Sequence, residues 1–383
     1  MNKRPKYNPS AFLVLGLLGL YLSVYQSVLE DLSNDFMLKP SQVGLIISFH
    51  FIGSILLPMV LGELSDRVGS KPALFTSFSC IILGLFIFLS GRSAFIFCVG
   101  SMLAGGGFAV LEGTITGLLA AVNPDRINSI LNLSQMFFCL GACLGPLVVF
   151  SVALAKQTWQ VSYVFVLVLF IFAMMLFCFV DVPSHRTERI HGLQLKGLLK
   201  NPIFMLLLLS IFLYVGIEEG AAFWITSYLH HVSRSAIPVM FFLTAYWLGM
   251  GSGRLLFSFI NMHYKRWMIY SLLFSFVFVL LFLIFADHSW ILLPIFLVGF
   301  GFAPVWPVLM MDAYHCGGQA TQTAMGSMMA SGAAGGATVP FVLGYLAQKT
   351  SMPDAMTMLP ILLAILIILV ILGRPTKWTM YDV

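Results

Sequence analysis

Residues 181–201 read DVPSHRTERIHGLQLKGLLKN, a polar and basic stretch with a proline at each end, Pro183 and Pro202. It lies at the middle of a 383-residue chain whose other polar gaps are mostly short. Six apolar runs precede it, at approximately 11–29, 41–61, 72–91, 94–122, 129–155 and 160–180. Six follow it, at approximately 202–229, 235–259, 266–286, 289–314, 321–348 and 354–373. The runs are about 20 residues or longer, the length a helix needs to cross a bilayer, whereas a spanning strand needs only about 10 alternating residues. Helices also satisfy their own backbone hydrogen bonds in lipid. The longer runs permit tilt or ends that project into water. The expected fold is therefore an all-α membrane protein with twelve transmembrane helices in two six-helix bundles. Residues 1–180 form the first bundle, 181–201 the linker and 202–383 the second.

Composition points the same way. The chain is 60% hydrophobic, 9% charged, and has a mean hydropathy of +0.97. An ordinary soluble domain is about 25% charged, and a soluble monomer of this size must cover its outside with polar groups. That excludes a soluble enzyme, a nucleic-acid binder and a disordered protein. The net charge of +5 is spread over short gaps and makes no nucleic-acid patch. The six cysteines nearly all fall inside apolar runs and read as small free-thiol hydrophobes. Cys139 and Cys143 share a helical face, but two thiols are too few for a metal. No metal spacing, phosphate loop or nucleophile–base arrangement is present, so no cofactor is expected. Lys3, Arg4 and Lys6 before an apolar run superficially resemble a signal peptide. No small-x-small cleavage site follows, so the run reads as the first span.

Basic residues orient the spans. With the N-terminus in the cytoplasm and sides alternating, fifteen of the twenty Lys and Arg fall inside: Lys3, Arg4, Lys6, Arg67, Lys71, Arg126, Arg186, Arg189, Lys196, Lys200, Arg254, Lys265, Arg266, Arg374 and Lys377. Five fall outside: Lys39, Arg92, Lys156, Arg234 and Lys349. Both termini and the linker are thus expected on the cytoplasmic face of a cytoplasmic (inner) membrane. Two such halves suggest an internal repeat with a binding site between them near the bilayer midplane. A channel is the other reading at this level, but no selectivity filter or charged ring is evident.

The loop after the second run reads Gly62-Glu63-Leu64-Ser65-Asp66-Arg67-Val68-Gly69-Ser70-Lys71. It resembles the major facilitator superfamily signature G-x-L-a-D-r-x-G-r-k between helices 2 and 3, with Ser70 where a basic residue is usual. Gly62 and Gly69 permit a tight turn and close approach, and Asp66 can face a helix N-terminus. The resemblance implies a cytoplasmic gate made by Gly62, Asp66, Arg67, Gly69 and Lys71, with Asp125 as the candidate partner for Arg67. The second-half counterpart is degenerate: Gly249, Gly251, Gly253 and Arg254, then Lys265 and Arg266. Leu131-Asn132-Leu133-Ser134-Gln135, Tyr214-Val215-Gly216-Ile217-Glu218 and Gly299-Phe300-Gly301-Phe302-Ala303-Pro304-Val305-Trp306-Pro307 are similar to helices 5, 7 and 10 of the fucose/galactose/glucose–proton symporter branch.

An ionisable residue at bilayer depth costs about 2.5–3.5 kcal/mol on insertion scales, so each is a functional candidate. Glu112 lies mid-run, and no Lys or Arg is expected at its depth. A carboxylate there without a cation is costly to keep ionised and takes up a proton, which is what a proton-coupled carrier needs. Glu112 matches the helix-4 coupling acid of the resembling branch; the helix-1 acid falls at Gln26, which cannot titrate. Bracing of helices is the alternative role for Glu112. Glu218 and Glu219 point about 100° apart. Glu218 is favoured as the cavity residue because it lies in the resembling motif, although two adjacent acids would also suit a cationic solute.

Asn128, Asn132 and Gln135 share one helical face. With Gln26 they offer amides that suit sugar hydroxyls. Trp224, Tyr228, Tyr246, Trp247 and Trp306 are candidate ring platforms, against the alternative of a membrane-interface belt. Trp159, Trp290 and Trp378 sit at run ends and read as belt residues. Trp306 lies between Pro304 and Pro307, which break the helix there. The small residues from Gly326 to Gly336 read as a packing surface, and His230 and His231 as a loop pair. The expected function is proton-coupled uptake of a small neutral polar solute, best a monosaccharide, by a monomer. Glu112 and Glu218 would carry protons. Gln26, Asn132, Gln135, Trp224, Tyr246 and Trp306 would line the site. A proton-driven exporter of drugs or cationic metabolites is the rival reading.

Overall fold

A computed structural model describes residues 7–123, 127–180, 182, 192–233, 236–259 and 264–373. Before the linker run α1 (Tyr7–Asp35), α2 (Pro40–Val68), α3 (Ser70–Ser90), α4 (Ala94–Val122), α5 (Ile127–Leu154) and α6 (Gln160–Cys178). The linker contains a short helix, α7 (Gly192–Leu198). After it come α8 (Pro202–Val232), α9 (Met240–Phe259), α10 (Tyr264–Ile284), α11 (Leu292–Phe302), α12 (Val305–Gly317), α13 (Thr321–Lys349), α14 (Met352–Met356) and α15 (Met358–Leu372). Each apolar run forms a helix or a pair of helices. The tenth run breaks between α11 and α12 at Ala303-Pro304, because proline has no N–H to give and its ring clashes with the preceding turn. His230 and His231 lie in the last turn of α8 rather than in a loop.

Eleven segments among the described residues are long and apolar enough to cross a membrane. α9 is not among them, because its 20 residues include Gly249, Gly251, Gly253, Ser252 and Arg254. It sits between α5 and α11, where polar and small residues meet protein rather than lipid. On the outside, α15 shows Ile361, Ile365, Ile368, Ile371 and Leu372, and α6 shows Val164, Phe165, Val168, Ile171 and Phe172. These apolar faces have the character lipid requires.

Two sets of helices pack internally. α1 lies on α5, α2 and α3 on α4, and α6 on α1 and α3. In the other set α8 lies on α13, α9 on α11, α10 on α11 and α15, and α12 on α8 and α13. Small residues allow backbones to touch. A Cβ at Gly141 would fall 1.8 Å from the carbonyl oxygen of Gly16, and one at Gly335 would fall 1.9 Å from that of Phe212. Gly335 belongs to the small-residue stretch of α13, which packs against α8 as the sequence implies.

The sets meet chiefly through α2 on α13 and α5 on α9, with α1 reaching α8. Their named contacts gather toward one end of the molecule. The Ser48 hydroxyl donates to the Ala337 carbonyl at 2.6 Å, and the Phe51 ring covers Gly336. Phe150 meets Phe241 edge-on at 5.3 Å, and the Thr244 hydroxyl donates to the Cys143 carbonyl at 3.4 Å. The Ser227 hydroxyl donates to Glu30. At the same end the Trp159 indole donates to Asp35 at 2.8 Å and is only 5% exposed. Trp159 is thus a buried structural residue and not the belt residue its position suggests, while Trp290 is exposed as a belt residue would be.

Candidate substrate and proton site

Beneath the contacting end, an aromatic layer runs from one set of helices to the other. Phe51, Phe223, Tyr25, His50, Phe108, Phe138 and Trp247 follow ring to ring, with successive centroids 5.4–6.2 Å apart. Next to it lies a polar layer. Its residues continue the same helices away from the contacting end: Glu112 is one turn past Phe108, Glu219 one turn before Phe223, and Arg254 two turns past Trp247.

The polar layer has two linked parts. In the first, the Gln135 amide on α5 donates to Glu112 Oε1 on α4 at 3.3 Å. Arg254 Nη1 on α9 donates to Gln135 Oε1 at 3.0 Å, to the Gln135 carbonyl at 3.4 Å and to Cys139 Sγ at 3.3 Å. Arg254 Nη2 lies 3.6 Å from Glu218 Oε1 on α8. A guanidinium therefore stands between a carboxyl from each set of helices. In the second part, the Trp247 indole donates to Gln26 Oε1 at 3.0 Å, and the Gln26 amide donates to Glu219 Oε2 at 3.1 Å. Gln26 thus ties α1 to both α8 and α9. Tyr246 adds a hydroxyl that donates to the Glu218 carbonyl at 3.2 Å.

Arg254 corrects two sequence expectations. By sequence it counts among the cytoplasmic charges in a degenerate loop, and no cation is expected near Glu112. It is instead 4% exposed inside α9 and is linked to Glu112 through the Gln135 amide. The signal is present in the sequence, because Leu255-Leu256-Phe257 continue the apolar run beyond it. Without it the expected division of Lys and Arg is fourteen to five.

The structure brings Gln26, Glu112, Gln135, Glu218 and Tyr246 into this layer. Asn132 lies about one turn along α5 from Gln135 and is half-buried. Trp224 and Trp306 are placed elsewhere. The Trp224 indole donates to the Pro340 carbonyl of α13 at 2.9 Å, and Trp306 is half-buried against the apolar core. Arg254, Glu219 and Trp247 are the residues that the reading of the sequence underweights. Of the gate residues, Gly69 adopts φ 94°, a left-handed conformation that glycine accommodates. The Lys71 ammonium donates to the carbonyls of Cys178 and Val180 at 3.1 Å each, capping the end of α6. Gly62, Asp66 and Arg67 lie in the last turns of α2, with their side chains outside the described structure. Asp125 lies outside the described residues altogether.

The family model described as Major Facilitator Superfamily matches residues 11–315. A protein called TsgA homolog from Buchnera aphidicola is 22% identical over 297 residues, covering 76% of each chain. The E. coli fucose:proton symporter FucP superposes with a TM-score of 0.65 at 18% identity, covering 96% of this chain and 100% of that one. The human organic anion transporter MFSD10 superposes with a TM-score of 0.69 at 16% identity, covering 97% of this chain and 100% of that one. The chain belongs to the Major Facilitator Superfamily and is a membrane transporter, not an enzyme.

Proposed function

We propose that the protein is a proton-coupled secondary carrier of a small polar solute, monosaccharide-like in its hydroxyls, working by alternating access. The observation that carries this reading is the polar layer itself, in which Glu218 directly and Glu112 through Gln135 are linked to one guanidinium. Glu112, Glu218 and Glu219 would place two uncompensated negative charges beside Arg254 if all were ionised, a costly arrangement in an apolar interior. Protons on this layer relieve that cost, and rocking of the halves exposes it to either side. The moving halves are 1–180 and 202–383, joined by 181–201. Twelve spans, cytoplasmic termini and a place in the inner membrane complete the reading, with the contacting end facing outward. Asn132 and Gln135 bind hydroxyls, with Tyr246 as the aromatic neighbour in the same layer. Gly62, Asp66, Arg67, Gly69, Lys71 and Asp125 form the gate on the opposite side. The likeness in fold to a symporter of fucose and protons supports a hydroxylated solute.

Gradient-driven uptake by purified protein in proteoliposomes tests the proposal. Labelled sugars, sugar acids and organic cations are offered with and without an imposed pH gradient. Accumulation of a hydroxylated solute driven by the gradient supports the reading. Accumulation of lipophilic cations against the gradient turns it toward a proton-driven exporter.

A further inference from the structure

Arg254 is incompletely paired for a buried guanidinium. Its planar fork offers five N–H donors and cannot lose its charge. The Nη1 corner is engaged by the Gln135 amide oxygen, by the Gln135 carbonyl at 3.4 Å and by a thiol sulfur, a weak acceptor. The side edge, formed by Nε and Nη2, is different. Nε is buried without a hydrogen-bond partner, and Nη2 has Glu218 Oε1 at 3.6 Å. A charge-assisted N–H···O contact to a carboxylate is normally about 2.7–2.9 Å, and the Nε–Nη2 edge fits both oxygens of one carboxylate. Glu218 meets that edge with a single distant oxygen.

We infer that the carried solute bears a carboxylate, that the Nε–Nη2 edge of Arg254 binds it, and that it does so in competition with Glu218. The inference rests on the carrier reading above and narrows its solute to a small hydroxylated monocarboxylate, of the sugar-acid kind. The solute's carboxylate forms two hydrogen bonds to the guanidinium, and Glu218 gives up its place beside Nη2. A released carboxylate in this layer is costly unless it accepts a proton. One proton from solution forms an O–H bond on Glu218, and one anion arrives, so the layer's net charge does not change. Binding of solute and proton are thereby linked at a shared cation. The other titratable groups facing this point are Glu112, Cys139, Tyr214, Glu219 and Tyr246, from α4, α5, α8 and α9.

The test is equilibrium binding to the purified full chain, read as ligand-induced thermal stabilisation. Matched probes differ only in the acid: D-glucuronate with D-glucose, and lactate with propane-1,2-diol. The expected result is that a carboxylate binds at least about tenfold tighter than its neutral partner, and tighter still as pH falls toward mild acidity. Arg254→Gln is expected to weaken carboxylate binding by about 100-fold, and Arg254→Lys by about tenfold, because lysine keeps the charge without the fork. Glu218→Gln is expected to tighten carboxylate binding and flatten its pH dependence, which a merely bracing role for Arg254 would not produce. If Arg254→Gln fails to fold, the matched pairs and Glu218→Gln still decide the matter. Tighter binding of the neutral partners, or unchanged affinity and pH dependence in Glu218→Gln, overturns the inference and leaves the carrier reading intact. Failure of the proteoliposomes to carry any solute, neutral or acidic, ends both.

Discussion

Gln26, which the sequence resemblance sets where the symporter branch carries an acid, is fully buried with both ends of its amide in use. Its oxygen accepts from Trp247 and its nitrogen donates to Glu219, so one amide satisfies a donor and an acceptor on two different helices. An acid cannot do both when ionised. Gln26→Glu is therefore expected to set two carboxyls against each other, lowering thermal stability at neutral pH and recovering it in mild acid, where the pair shares a proton. Unfolding curves at the two pH values check this. Trp247→Phe leaves the Gln26 oxygen unsatisfied and is expected to cost about 1–3 kcal/mol, measured in the same way. Glu112, Gln135 and Glu218 are legible in the sequence because polar residues within apolar runs stand out. Arg254 is masked by its neighbourhood, since a cation beside three alternating glycines, near Lys265 and Arg266, reads as a turn. Trp224 shows the opposite error. An indole in an apolar run looks like a solute platform, and only the fold reveals that Pro340 takes its N–H.

The helices differ in how tightly they can be changed. Gly335 on α13 is pressed against the α8 backbone, so Gly335→Ala drives a Cβ into a carbonyl oxygen and must separate two helices. Overpacking of this kind costs about 1–3 kcal/mol. Gly113 on α4 has no atom within 4 Å of a Cβ, so Gly113→Ala is expected to leave stability within about 0.5 kcal/mol or raise it. Thermal unfolding of the two variants side by side distinguishes packing glycines from incidental ones. The long helices are legible, since each falls on an apolar run. The breaks are less so. Pro304 and Pro307 announce the end of α11, but the short α7 inside the basic linker carries no apolar run long enough to signal it. Its Gln194 receives a hydrogen bond from Thr323 of α13 at 3.1 Å, a long-range contact that no local pattern encodes.

Taken whole, the molecule is fastened at one end by α2 on α13 and α5 on α9, with the aromatic layer and then the polar layer beneath. Alternating access requires those fastenings to part. A pair of cysteines at Gly44 and Phe341, where a Cβ on Gly44 would lie 3.0 Å from the Phe341 Cα, is expected to cross-link under oxidation in a background lacking the native cysteines. Cross-linking is expected to abolish transport, and reduction to restore it. The proposed division into halves rests on one basic stretch between two groups of six runs. Which end is fastened is not, because it depends on contacts between residues about 300 positions apart in the chain, such as Ser48 and Ala337. The most direct measurement is solute movement in proteoliposomes for wild type, Glu112→Gln and Glu218→Gln, comparing gradient-driven accumulation with exchange across the membrane in the absence of a gradient. The expected result is that wild type accumulates solute, while a variant lacking a titratable carboxyl still exchanges it but no longer concentrates it. Undiminished accumulation in both variants would contradict proton coupling through this layer.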